Sequence, residues 1–389
     1  MKIKILFMIA FLTYGLNYGQ KTAHVKAKID SLFNAKLQDD LVHNAFLSVY
    51  SKKLEIDWNY SGGTFMNGEK VTKNNPFHST SVAKTFTATL IMLLQEDGKL
   101  NINDPIAEYL PGEIIKGLHV FNGIDYSKKV LIKQLLQHTS GLPDYFADTP
   151  KNGATFMEQL FTNNDRFWQP LEIIEFTKTQ LRPHFEPGAS YNYCDTEYVL
   201  LGLLIEELTG KPYHIFLSDK IFNPLKMEHS YMHLRSRPIS ESPEKLSEFY
   251  VEQTNISTFK SLSADWAGGG IATTSNDLLK FYRALNNAEI ISKKSFKSMQ
   301  NWIGESYGLE YGYGLRKFDV NKLYPFSKKH TLIGHSGTSG SFMYYCPELD
   351  VYLTGTFNQT DYQKKHVDFM VTILSHLKHL TNVKSKRNG

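Results

Sequence analysis

Apolar and polar positions change their spacing twice along the 389-residue chain, and the changes divide it into three stretches. Near the start, Val25 to Phe33 is amphipathic at helical spacing. In the segment after it, Phe46, Val49, Leu54, Ile56 and Trp58 read as two short strands around a Lys52-Lys53 turn. From Ser79 the period lengthens to about 3.6. Thr85 to Glu96 then reads as a helix halted at Gly98, a second helix ends at His138, and a third runs from Tyr198 to Leu208 before Gly210 and Pro212. After the glycine triplet Gly268 to Gly270, Ser275-Asn276-Asp277 reads as a helix cap. Beyond Tyr307 alternation returns in "YGLEYGYGLRKF", "HTLIGHSGTSGSFMYYCP" and "VYLTGTFNQ", and "HVDFMVTILSHLKHL" closes the chain as a helix. A lone hairpin is only marginally stable, so the strands of the two ends are expected to form one sheet with the helical middle inserted as a second lobe. The expected division is an α/β lobe from residues 22–75 and 265–389 and a helical lobe from 76–264.

The first residues change this picture. Lys2 and Lys4 precede an apolar stretch from Ile5 to Leu16 and the small residue Gly19, the order of a secretory signal peptide over residues 1–19. The stretch is shorter than the roughly 20 apolar residues that a membrane span needs. The mature chain is therefore expected to be periplasmic or secreted, with no span of its own.

Composition narrows the function. With 41% hydrophobic and 21% charged residues, the chain is neither disordered nor fibrous. A net charge of +4 has no basic block except Lys384, Lys386 and Arg387 at the tail, so nucleic acid is not an expected partner. The two cysteines, Cys194 and Cys346, make no disulfide framework, although they are free to pair. His376 and His379 share a helix face but lack the glutamate of a His-Glu-x-x-His site, and no metal or cofactor is expected. An α/β-hydrolase would carry Gly-x-Ser-x-Gly, which is absent.

One lysine is out of place. In "HSTSVAKTFTATLIMLLQEDGKL", Lys84 sits among Val82, Ala83, Phe86, Leu90 and Ile91, where an ammonium loses hydration unless a partner or a chemical task holds it. Ser81, three residues earlier, shares its helix face. Serine is a poor nucleophile until a base takes its proton, and a desolvated lysine is able to serve. Ser-x-x-Lys alone is weak, since the chain holds four copies, at Ser81, Ser242, Ser257 and Ser375, but only Ser81 opens an uncharged apolar helix. A helix cap at Ser81 with Lys84 reaching solvent is the plain structural alternative.

The neighbouring motifs make the reading specific. Over nearly all of the mature chain the sequence resembles the serine β-lactamase-related family, which includes class C β-lactamases, D,D-carboxypeptidases, D-aminopeptidases and esterases. "STSVAKTFTA" resembles its Ser-x-x-Lys box, with Ser81 as nucleophile and Lys84 as base. "FEPGASYNYCDTEYVLLG" resembles its Tyr-x-Asn region, which places Tyr193 at the catalytic tyrosine, and "IGHSGTSGSF" resembles the His-x-Gly form of its third box, at His335, Ser336 and Gly337. "LLQHTSGLPDY" and "AGGGIATTSNDLLKF" are further family-like segments. The resemblance implies a β-lactamase/transpeptidase-like fold, an antiparallel sheet flanked by helices with an inserted all-helical domain. It also implies roles. Tyr193 carries the proton to the leaving group, His335 meets the substrate carboxylate or acyl tail, Gly337 lets substrate approach the strand, and the amides of Ser81 and Thr338 form the oxyanion hole.

Asp195 departs from the family pattern, where asparagine is usual. A carboxamide donates to a substrate carbonyl, whereas a carboxylate only accepts, which counts against amide and β-lactam recognition, and the alternative role for Asp195 is to pair with Lys84 and hold it charged. The expected function is an exported serine hydrolase acting through an acyl-enzyme on a peptide, amide or ester. D,D-carboxypeptidase, D-aminopeptidase and esterase chemistry are the candidates, with cell-wall peptide among the possible substrates. The alternative is a catalytically impaired cell-wall binding or regulatory protein that keeps the cleft as a receptor.

Overall fold

The computed structural model describes residues 2–325 and 330–384. The N-terminal hairpin, β1 (Asn44–Ser51) and β2 (Ile56–Gly63), and six strands from the C-terminal third form one antiparallel sheet. The six are β3 (Ile303–Ser306), β4 (Leu309–Tyr311), β5 (Arg316–Asp319), β6 (Thr331–Ser336), β7 (Phe342–Cys346) and β8 (Val351–Thr356), in the sheet order β3-β4-β5-β6-β7-β8-β1-β2. The two chain ends meet where β1 pairs with β8 in the register Ser48↔Thr354. This is the β-lactamase/transpeptidase-like sheet that the resemblance implied, and the alternating pattern explains it. Leu47, Val49, Leu353 and Phe342 belong to a buried cluster with helices α1 (Lys2–Lys36) and α5 (Tyr362–Lys384), through Ile29, Phe33, Met370 and Ile373.

The opposite face carries α2 (Ala83–Glu96), α3 (Asp195–Thr209) and α4 (Ser275–Asn286). One apolar cluster runs from Ile91 of α2 and Leu200 of α3 to Met343 and Tyr352 of the sheet, so the inserted segment shares its core with the strands. Helix α2 is buried from Ala83 to Met92, which explains why that stretch is uncharged apart from Lys84.

Several boundaries differ from expectation. Helix α3 begins at Asp195 rather than Tyr198, because Asp195 and Glu197 put acidic groups in the first turn, where the helix dipole favours them. It ends as expected at Gly210, with φ +65°. Helix α4 is capped by Thr274, whose hydroxyl accepts from the Asp277 amide, and not by Ser275. The middle is not purely helical, since Phe77–His78, Tyr231–Met232 and Ile271–Thr273 form a small three-stranded sheet. Both cysteines are buried and unpaired. At the N-terminus, α1 continues unbroken across residues 19 and 20. Among the described residues no helix is long and apolar enough to cross a membrane.

Candidate active site

Strand Phe77–His78 pairs with Ile271–Thr273 through His78↔Ala272, which lays the serine-bearing turn beside the glycine triplet. The Ser79 amide and hydroxyl both donate to the Ile271 carbonyl, at 2.9 and 2.8 Å. Thr80 then adopts φ +44°, a left-handed conformation that a β-branched residue keeps only where its surroundings impose it. The loop between β6 and β7 supplies that constraint, as Ser339 Oγ donates to the His78 carbonyl at 2.8 Å and Ser341 Oγ to the Ser79 carbonyl at 2.6 Å. Gly337 makes the approach possible, since a Cβ there would collide with Thr80 Oγ1 and the Ser79 carbonyl. Its close neighbour is thus the turn itself, where the resemblance implied a substrate.

Ser81 lies in the 3-10 turn Thr80–Val82 that leads into α2. Lys84, fully buried, donates from Nζ to Ser81 Oγ at 3.1 Å, to the Gly268 carbonyl at 3.1 Å, and to Asp195 Oδ1. Its Nζ lies 5.1 Å from the centroid of the Tyr193 ring, and the phenol hydroxyl meets both Ser81 and Lys84. Burial alone would pull the Lys84 pKa down, but the Asp195 carboxylate, with Tyr193 behind it, raises it above the ordinary lysine value. The lysine therefore stands as an ammonium. Burial raises the Tyr193 pKa, with Lys84 opposing the rise, so the phenol keeps its proton. Among the described residues, the backbone amides of Ser81 and Thr338 donate to no acceptor, and both residues line the space in front of Ser81.

His335 is placed differently from expectation. It is fully buried on β6, where Nε2 accepts from the Tyr311 hydroxyl at 2.9 Å and Nδ1 donates to the Ser336 carbonyl at 2.8 Å. Burial, then the nearby Arg316 and Lys84 charges, drive its pKa well below the usual histidine value. A neutral ring with both nitrogens engaged, behind the wall of the two cavities beside Ser81, cannot meet a substrate carboxylate as it stands. Two cations line the wall, Lys364 and Arg316, and Arg316 is gripped by Glu305 through two bonds of 2.7 Å.

Two cavities flank Ser81, and Asp195 and Thr338 line both. One, of about 260 Å³, is walled by aromatic and aliphatic side chains with Asp195 and Asp265 among them. The other, of about 370 Å³, holds Tyr193, Arg316, Glu305 and Ser336. Sequence reasoning missed Asp265, Arg316 and Glu305, although two of them left a signal. Asp265 is a lone acid before a glycine triplet, and Arg316 lies two residues from buried Phe318, hence on the same strand face. Among the described residues, no group of three or more His, Cys, Asp or Glu side chains converges to hold a metal ion.

The chain is similar to several known proteins. The Beta-lactamase family model matches residues 36–375. Penicillin-binding protein 4* of Bacillus subtilis (strain 168) is 30% identical over 284 residues, which cover 68% of this chain but only 56% of that relative's length. The teichoic acid D-alanine hydrolase of Staphylococcus aureus is 27% identical over 314 residues, 79% of this chain and 69% of that protein. Among solved structures, a D-stereospecific amidohydrolase from Streptomyces sp. is similar with a TM-score of 0.73 at 28% identity, over 88% of this chain and 97% of that one.

Proposed function

Since the chain belongs to the Beta-lactamase family, we propose that it is an exported serine hydrolase that cleaves an ester, amide or peptide through an acyl-enzyme on Ser81. The observation that carries this reading is the Ser81 hydroxyl held 3.1 Å from a buried ammonium, beside a space lined by Ser81 and Thr338, whose amides donate to no acceptor among the described residues. Export rests on the charged and then apolar order of residues 1–19.

The chemistry follows from who holds which proton. Ser81 Oγ attacks the carbonyl carbon, and the carbonyl oxygen becomes an oxyanion between the Ser81 and Thr338 amides. Lys84, already charged, stabilises the developing negative charge on Oγ rather than accepting its proton. That proton passes to the Tyr193 oxygen while the Tyr193 proton moves to the leaving group, so the phenol ends neutral and the leaving group departs protonated. Water then repeats the sequence in reverse roles and frees Ser81. The names of the relatives, a D-alanine hydrolase and a D-stereospecific amidohydrolase, support acyl groups derived from D-amino acids.

A second reading, a cleft that binds without turnover, draws on the Asp195 carboxylate that keeps Lys84 from acting as a base. A fluorophosphonate probe decides between them. Covalent labelling of the wild type that is lost in Ser81→Ala supports the hydrolase, and an unlabelled wild type supports the receptor.

A further inference from the structure

The two cavities beside Ser81 have different chemical duties. Tyr193 delivers the proton to the leaving group and lines only the cavity that holds Arg316, so the leaving group lies there and the acyl group occupies the other. That acyl cavity is walled by Phe146, Phe161, Phe249, Ile256 and Phe259, a surface for an apolar side chain. Its floor is the Gly268-Gly269 pair. A Cβ on Gly268 would stand 3.4 Å from Asp195 Oδ1, and one on Gly269 would stand 3.4 Å from both the Asp265 Cγ and the backbone of Thr80. The two carboxylates therefore bracket bare backbone immediately next to the nucleophile.

Charge around that floor does not balance. Lys84 is one ammonium and is spent on Asp195, while the side-chain carboxylate of Asp265, from the turn before the glycines, accepts no hydrogen bond and forms no ion pair among the described residues, its backbone carbonyl alone accepting from the Gly268 and Gly269 amides. Burial, and then the Asp195 charge, lift the Asp265 pKa to about 7. A partly buried carboxylate in an aromatic cavity gains most from a cation that arrives with the ligand.

We propose that Asp265 binds an ammonium on the acyl group, so that the substrate is an α-aminoacyl ester or amide with an apolar side chain. The ammonium sits between Asp265 and the Asp195 oxygen not engaged by Lys84, and the side chain enters the aromatic cavity. The assignment rests on the acyl-enzyme reading above. It adds which end of the substrate is charged and which residue reads it.

The test compares the methyl esters of D- and L-phenylalanine with methyl 3-phenylpropionate, the same acyl skeleton without the amino group, each rate corrected for spontaneous hydrolysis. Wild-type protein is expected to favour at least one phenylalanine ester by about tenfold or more in kcat/KM, and Asp265→Asn to shrink that preference by about tenfold, mainly through KM. No preference in the wild type overturns the proposal. So does a fall in Asp265→Asn that is equal for charged and uncharged esters, since that marks a packing role only. Fluorophosphonate labelling of Ser81 keeps the two readings apart. A wild type that labels but shows no preference sinks only the ammonium site, whereas one that does not label sinks the hydrolase itself. Should Asp265→Asn fail to label, the wild-type preference alone decides.

Discussion

The two cavities beside Ser81 share a nucleophile, an amide and one carboxylate, yet they are built from different parts of the chain. The acyl side takes its apolar wall from Phe146 to Leu262 in the inserted segment and carries an unpaired acid, Asp265. The leaving-group side takes Glu305, Arg316 and Ser336 from the sheet, where Arg316 is already neutralised by a two-bond partner, and adds Lys364 from α5. The difference shows how a site divides its tasks. A pre-paired cation such as Arg316 holds shape and local potential, whereas an unpaired carboxylate keeps its interaction for a ligand.

Each prediction breaks or sharpens that contrast. The largest effect should come from Ser81→Ala, which removes the atom both sides serve. Hydrolysis is expected to fall by about 10³-fold or more, with covalent labelling abolished, while the thermal midpoint stays near the wild-type value. Equal turnover on every ester and amide tested would dismiss the acyl-enzyme.

Next, Tyr193→Phe removes the proton carrier from the leaving-group side alone. A loss of about 10²-fold is expected for amides, whose poor leaving group needs the proton, and a smaller loss for p-nitrophenyl esters, whose leaving group departs unprotonated. Identical losses on both would mean that Tyr193 serves only to take the Ser81 proton and does not protonate the leaving group.

Asp195→Asn tests the residue the two sides share. With the carboxylate gone, burial is no longer opposed by its charge, and the Lys84 pKa should fall. The rate of Ser81 labelling should then gain a rising limb between about pH 7 and 10 that the wild type lacks, as the freed lysine begins to act as a base. Superimposable pH profiles would show that Asp195 does not set the state of Lys84. A gain in amide or β-lactam turnover relative to ester turnover would mark Asp195 as a specificity determinant, through the donor that asparagine restores.

The smallest effect concerns the acid excess as a matter of stability. Asp144, buried near Asp195, is raised to about 8 by burial and then by the Asp195 charge. A carboxyl raised in the folded state binds its proton more tightly there than in the unfolded chain. Its contribution is therefore full below the ordinary carboxylate value, near pH 4, and is lost as pH rises through about 8. Asp144→Asn, which keeps the acceptor for the Phe146 amide, should gain thermal stability relative to wild type as pH rises across that window. A constant difference between the two proteins would place the proton elsewhere.

How far the sequence could be read depended on how local each feature is. The nucleophile and its lysine are three residues apart on one helix face, so the i, i+3 pair was visible directly, as were the two-residue period of β7 and β8 and the glycine that ends α3. The start of α3 lies three residues before the Tyr198 that the apolar pattern gives, because Asp195 to Glu197 carry no apolar side chain and belong to the helix through its first turn. Expectation placed His335 at the substrate because the motif names a residue and not the direction of its side chain. Only the pairing of β4 with β5 and of β5 with β6, through Tyr311↔Arg316 and Arg316↔Gly334, brings it against Tyr311.

By itself, then, the sequence determined the strands of the two chain ends and the longer helices between them, the serine that opens a buried helix, and the oddity of a lysine inside it, since each depends on spacing along a few turns of chain. The tertiary structure decided which acid neutralises that lysine, which wall faces the leaving group, and that Asp265 remains unpaired. Those outcomes depend on side chains brought together from far apart, as Lys84 and Asp195 are across 111 positions. Charge pairing and desolvation act through space over a few ångströms, and no pattern of neighbours along the chain encodes that distance.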